Sequence, residues 1–268
     1  MDKTIAVAQK TIFYREEGKG LPVILVHGFA EDGAVWDQLV DQLKDSYRLL
    51  IPDLPGSGRS SLLTEETSME QLAEDIRSIL DAEGIEQCVL IGHSMGGYVT
   101  LAFAEKYPLR LKGFGLFHST AFADSEEKKT TRRKSIEFIG KNGSAVFIRQ
   151  STVNLFAAST QNQYPEIIST MVDRYSNFSA NSLVYYSEAM IRRPDRSAVL
   201  DRSNVPVLFI IGAQDQSVPP EQTLQQVYKP SLSHVHILEN SGHMGMLEQV
   251  NRGSGILHSF LNFIITHE

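Results

Sequence analysis

Over most of this chain, short apolar runs alternate with longer stretches of helical periodicity. Residues 4–16 alternate apolar and polar positions, broken around Gln9-Lys10, and predict a strand pair. After the turn Glu17-Gly-Lys-Gly20, Leu21 to Val26 is a continuous apolar run, as expected of a strand covered on both faces. Trp36, Leu39, Val40 and Leu43 recur at helical spacing, and Tyr47 to Ile51 predicts the next strand. Ser68-Met-Glu-Gln71 reads as a capping box for a helix that turns Leu72, Ile76, Ile79 and Leu80 inward and stops at Gly84. Val89-Leu-Ile91 is then a buried strand, Val99, Leu101, Ala102 and Phe103 continue a helix, and Leu111 to Phe117 supplies another strand.

Such a rhythm predicts a parallel sheet wrapped by helices. It breaks between Ser119 and Asn204, where helical patterns run on without a convincing strand. Ile167, Ile168, Met171, Val172 and Tyr175 make one apolar face there, and Leu183, Tyr186, Met190 and Ile191 another. Lys128-Lys-Thr-Thr-Arg-Arg-Lys134 reads as the solvated face of the first of these helices, with a site for an acidic partner as the alternative. The strand pattern resumes at Val205 to Ile211, followed by a helix around Pro220 to Tyr228 and a strand at Val235 to Leu238. A closing amphipathic helix carries Ile256, Leu257, Phe260, Leu261 and Ile264. The expectation is one α/β domain, residues 1–118 and 205–268, interrupted after its sixth strand by a helical insertion over residues 119–204.

Composition narrows the function classes. A length of 268 residues suits one large domain or a domain with an insertion, and 42% hydrophobic with 21% charged residues is ordinary for a globular protein. A net charge of −7 lacks the basic face that nucleic-acid binding needs. The single cysteine, Cys88, rules out an intrachain disulfide and a cysteine zinc cage. No stretch reaches the roughly 20 apolar residues of a membrane span. The opening residues show no signal-peptide core, so the expected location is the cytoplasm, and the sequons at Asn142 and Asn177 carry no weight. Neither H-E-x-x-H nor a Cys/His cluster occurs, so no metal and no cofactor are expected.

The chemistry centres on Gly92-His-Ser-Met-Gly96, which lies between a predicted strand and a predicted helix and fits the G-x-S-x-G nucleophile elbow. Ser94 is the expected nucleophile. A serine hydroxyl needs a base, and the base an orienting acid. Asp215 and His243 each follow the end of a predicted strand and complete the order Ser, Asp, His. His118 as base and Asp124 as acid are the alternatives, both just past the sixth strand. Asp53 is expected to bond N–H groups of its own loop. His27 and His93 flank the site with backbones that matter more than their rings, while His234, His236, His258 and His267 read as surface or packing residues. The backbone N–H groups of Met95 and Phe29 are the expected oxyanion donors, and Gly28 allows a close approach there.

Together, His27-Gly-Phe-Ala30, Asp53-Leu-Pro-Gly-Ser-Gly-Arg-Ser60, Gly92-His-Ser-Met-Gly-Gly97, Gly212-Ala-Gln-Asp215 and Ser241-Gly-His243 resemble the marker segments of the α/β-hydrolase fold superfamily. The likeness spans nearly the whole chain, and Met244-Gly-Met-Leu-Glu after His243 fits it too. It implies a mostly parallel eight-stranded sheet flanked by helices, with a helical cap after strand 6. It also implies a Ser94–Asp215–His243 hydrolase of the esterase, lactonase and carbon–carbon hydrolase group, with Phe29, His93, Met95 and Tyr185 as substrate contacts. Haloalkane dehalogenases and epoxide hydrolases differ in carrying aspartate at the elbow, so Tyr185-Tyr186 need not be an epoxide-activating pair, and packing is the plainer role. The expected activity is cleavage of a small or medium carboxylic ester through an acyl-enzyme, with water as second substrate, no nucleic-acid or membrane partner, and no cofactor. Carbon–carbon, lactone and thioester hydrolysis use the same machinery. A signal receptor of this fold would keep the triad and turn over slowly, and a non-catalytic structural member would show a damaged triad.

Overall fold

A computed structural model describes residues 1–267. In chain order, β1 (Asp2–Val7), β2 (Lys10–Glu17) and β3 (Pro22–Val26) lead to α1 (Asp37–Leu43), and β4 (Arg48–Pro52) leads to α2 (Met69–Ala82). Next come β5 (Cys88–His93), α3 (Met95–Lys106) and β6 (Leu111–Phe117). Six helices follow without a strand: α4 (Glu126–Asn142), α5 (Ser144–Ser151), α6 (Ala158–Gln163), α7 (Pro165–Tyr175), α8 (Ala180–Arg192) and α9 (Ser197–Asp201). The chain closes with β7 (Val207–Gly212), α10 (Pro220–Leu224), β8 (Ser233–Leu238), α11 (Gly245–Glu248) and α12 (Val250–Thr266).

The eight strands form one sheet in the order β1-β2-β4-β3-β5-β6-β7-β8. β2 runs antiparallel to both of its neighbours, and from β4 onward every pairing is parallel. Along β3 the side chains alternate between layers, as a period of two requires: Val23 and Leu25 pack with Trp36, Leu39, Phe260 and Leu261, while Ile24 and Val26 pack with Leu72, Ile76 and Phe103. At Ser68 the hydroxyl accepts the Gln71 N–H at 3.2 Å, which is the N-cap half of the expected capping box. β7 starts at Val207, two residues later than the apolar run suggests, and only Pro220–Leu224 of the predicted 220–228 helix is α-helical. No described helix is long and apolar enough to cross a membrane.

Buried residues of the insertion group with both apolar layers. Tyr186, Met190 and Leu200 join the layer on the α2 and α3 side, and Ile148, Met171 and Leu183 join the layer of α1 and α12.

Candidate active site

The elbow explains its own glycines. Ser94 sits at φ 50° and ψ −114° between β5 and α3, so β5 turns into the helix with no intervening loop. A Cβ at Gly92 would meet the Gly96 carbonyl oxygen at 2.2 Å, and one at Gly96 would meet the Val26 and His27 oxygens at 2.4 and 2.6 Å. Four described non-glycine residues have positive φ, and three of them (Ala30, Ser94 and His118) surround this site. Strain of this kind costs about 1–3 kcal/mol per residue and persists only where the surroundings hold it. Here the Ser119 hydroxyl donates to the Ser94 carbonyl at 2.7 Å.

The loops after β7 and β8 bring Asp215 and His243 together. His243 Nδ1 donates to Asp215 Oδ2 at 2.7 Å. The other oxygen, Oδ1, accepts the Ser217 and Val218 N–H groups at 2.8 and 2.9 Å. Burial opposes ionisation of Asp215, but His243, His118 and the Val218 N–H outweigh it and hold the carboxyl at about 2. Ser94 and His243 line one cavity of about 150 Å³, with Phe29, Phe147, Ile148, Leu155, Met171 and Met190 among its apolar walls. Phe29 meets Phe147 edge-on, their ring centroids 6.2 Å apart.

Other predicted residues lie elsewhere. The His93 ring is fully buried behind the cavity, with Nδ1 3.0 Å from Glu31 Oε2 and Nε2 2.9 Å from the His243 carbonyl oxygen. The Met95 side chain is fully buried in the α2–α3 layer. Tyr185 does not line the cavity, because it lies one position, about 100°, round α8 from the inward face that carries Tyr186 and Met190. Of the four expected substrate contacts, Phe29 is thus the one whose side chain lines the cavity among the described residues. Tyr186 packs as expected, its hydroxyl 2.5 Å from the Pro55 carbonyl oxygen and 3.0 Å from Ser57 Oγ. Asp124 is held by Arg132 and Arg193 at 2.6 and 2.9 Å, away from His243. Asp53 accepts the Arg59 N–H of its own loop and also that of Gly33.

Glu31 and Glu248, given no role in the sequence analysis, and His118, weighed there as an alternative base, shape the site. Glu31 is buried and accepts the Gly28 N–H at 2.7 Å as well as the His93 proton, so it ties the loop after β3 to the elbow. Burial opposes charge on both members of that pair, yet their mutual attraction raises His93 and lowers Glu31. Glu248 accepts the N–H groups of Ala157 and Gly242 at 2.7 and 2.8 Å and the hydroxyls of Thr160 and Ser241 at 2.8 and 3.0 Å, clamping the His243 loop to the insertion. His118 accepts the Gly245 N–H on Nε2 at 3.2 Å, which puts the ring proton on Nδ1. That Nδ1 has no hydrogen-bond partner and lies 3.7 Å from Asp215 Oδ2.

The charged run of α4 is only partly a solvated face. Lys128 and Arg132, one helical turn apart, line the cavity, whereas Arg133 and Lys134 are exposed. Their i, i+4 spacing was the available signal. A larger groove of about 510 Å³ lies between the insertion and the sheet's other loops, but neither Ser94, Asp215 nor His243 lines it. Of its charges, Arg15 pairs with Asp37, Arg174 with Asp32 and Arg59 with Asp2, while Asp53 accepts backbone N–H groups.

With this geometry in view, the likeness to known proteins becomes specific. The α/β hydrolase fold family model matches residues 22–250, and the chain belongs to that family. A thermophilic esterase from Thermogutta terrifontis, in a malate-bound structure, superposes with a TM-score of 0.93 at 29% identity over 98% of this chain and 99% of its own. Lipase 3 of Moraxella sp. is 24% identical over 92% of this chain and 79% of its own length. A 2-hydroxy-6-oxononadienedioate/2-hydroxy-6-oxononatrienedioate hydrolase of Paraburkholderia phymatum is 25% identical over 93% of this chain and 90% of its own. The chain is an enzyme, a hydrolase.

Proposed function

We propose that this enzyme cleaves a small carboxylic ester through an acyl-enzyme on Ser94. The observation that carries this reading is the His243–Asp215 bond of 2.7 Å, which occupies Nδ1 and leaves Nε2 as the free ring nitrogen on the cavity that Ser94 lines. His243 accepts the Ser94 proton as Oγ attacks the ester carbonyl, then passes it to the departing alcohol. Water, deprotonated by the same imidazole, attacks the acyl-enzyme and releases the acid. Asp215 holds the tautomer and balances the imidazolium. The N–H groups of Phe29 and Met95 stabilise the oxyanion; Met95 opens α3, where N–H groups lack intrahelical acceptors, and the Ser94 side chain does not cap them. Names carried by the relatives, esterase and lipase, support the ester class.

Residues 119–204 act as the cap that sizes the acyl group. The cavity of about 150 Å³ is small beside the range of about 300–1,000 Å³ usual for drug-sized ligands. Each methylene it accommodates is worth about 0.8 kcal/mol. Measuring kcat/KM over p-nitrophenyl esters of increasing chain length tests this: the profile should peak at short to medium chains, and Met171→Ala should move the peak to longer ones. Ser94→Ala should abolish turnover. A flat profile indifferent to Met171 refutes the sizing role, and persistent turnover without Ser94 refutes the mechanism.

A further inference from the structure

The cavity beside Ser94 is apolar on most sides but cationic along α4. Lys128 Nζ donates to the Ser217 carbonyl at 2.7 Å and has no carboxylate within salt-bridge distance among the described residues. Arg132 Nε donates to Asp124 Oδ2 at 2.6 Å, and Arg193, stacked 3.8 Å from the Tyr98 ring centre, donates to Asp124 Oδ1 at 2.9 Å. Two guanidinium groups thus share one carboxylate. Asp215, a second acid close by, is engaged by His243 and by two backbone N–H groups. Glu31, which also lines the cavity, is engaged by His93 and by the Gly28 N–H, so Lys128 is the cation there that no carboxylate pairs among the described residues.

An ammonium placed against apolar walls and left unpaired is costly. Burial lowers the Lys128 pKa, with Arg132 adding to the effect. Only one of its three N–H donors is used by Ser217. The rest of the molecule, at a net charge of −7, offers anions no general attraction, so the positive wall is a local feature of the cavity. Arg133 and Lys134, on the same helix, stay exposed.

Resting on the reading of Ser94 as the acyl acceptor, we propose that the substrate's acyl group carries a carboxylate held by Lys128 with Arg132. The substrate class is then the half-ester of a short dicarboxylic acid. A monoanion matches the one unpaired ammonium, and a dianion would exceed it. The small cavity leaves a few methylenes between the two carbonyl carbons.

The test compares monomethyl glutarate with methyl pentanoate, a neutral ester of the same chain length, by pH-stat. Wild type should favour the half-ester in kcat/KM by at least tenfold. Lys128→Met should reduce that ratio tenfold or more, and Lys128→Arg should retain most of it. Glutaramate, a monoanion of the same chain length, should inhibit wild type competitively and Lys128→Met much more weakly. Wild type that favours the neutral ester, or a ratio that Lys128→Met leaves in place, overturns the proposal. Ser94→Ala separates the two readings: turnover of either ester by this variant sinks the acyl-enzyme mechanism itself, whereas loss of both esters with an unmoved charge ratio sinks only the carboxylate site.

Discussion

Two aspartates close to the site, Asp215 and Asp124, differ in what they hold. Asp215 spends one oxygen on His243 and the other on two backbone N–H groups, an arrangement that fixes the imidazole tautomer. Asp124 spends both oxygens on arginines. Asp215→Asn should therefore keep the fold by circular dichroism and lower kcat by about 10³–10⁴-fold, since the amide favours the wrong tautomer. Asp124→Asn should retain far more turnover. If the two variants exchange these behaviours in steady-state assays, Asp124 is the orienting acid.

Two elements set the positions of the reacting groups. At the elbow, a methyl on residue 96 would strike two backbone oxygens of the β3 end, which cannot rotate away. Gly96→Ala should cost about 1–3 kcal/mol of stability through overpacking, read as a lower urea midpoint, and should also depress kcat. An unchanged midpoint would mean that the elbow is looser than its contacts imply. At the other side of the site, Glu248 faces only donors: Ala157, Gly242 and Met244 N–H groups and the Thr160 and Ser241 hydroxyls. Glu248→Gln sets an NH₂ group against donors, and a hydrogen bond to a charged group is worth about 1.5–3 kcal/mol. The expected result is a lower Tm and a drop in kcat larger than any change in KM. A kcat equal to wild type would show that the His243 loop holds itself.

For the molecule as a whole, buried histidines make stability depend on pH in opposite senses. Burial keeps His118 neutral in the fold, helped by the nearby His243 and His93 and opposed by Asp215. The unfolded chain binds that proton near the ordinary imidazole value of about 6.5, so protons favour unfolding and stability falls as pH drops below it. One such residue contributes up to about 1.4 kcal/mol per pH unit. His93, raised by Glu31 against the cost of burial, contributes stability that is complete below the unfolded value and is lost as pH rises through the folded one. Urea unfolding at pH 7, 6 and 5 should show a steeper acid loss in wild type than in His118→Asn, a residue type that tolerates the φ of 50° at that position. Equal slopes would remove His118 as the source of acid sensitivity.

What the sequence by itself determined is local in origin. Strands and helices, the Ser68 cap, and the strand-to-helix turn at Ser94 with Gly92 depend on residues within a few positions of one another, and a period of two or 3.6 exposes the elements. The order Ser94, Asp215, His243 was legible because each residue follows a strand end. Tertiary structure alone decided which residues meet across the chain. Glu31 reaches His93 over 62 positions, Glu248 reaches Ala157 over 91, and Gly245 reaches His118 over 127. It also decided that α4 turns Lys128 and Arg132 toward Ser94 while α8 turns Tyr185 away from it. A helix's periodicity shows that it has an inner face; only the packing of that helix against the sheet shows what the face looks upon.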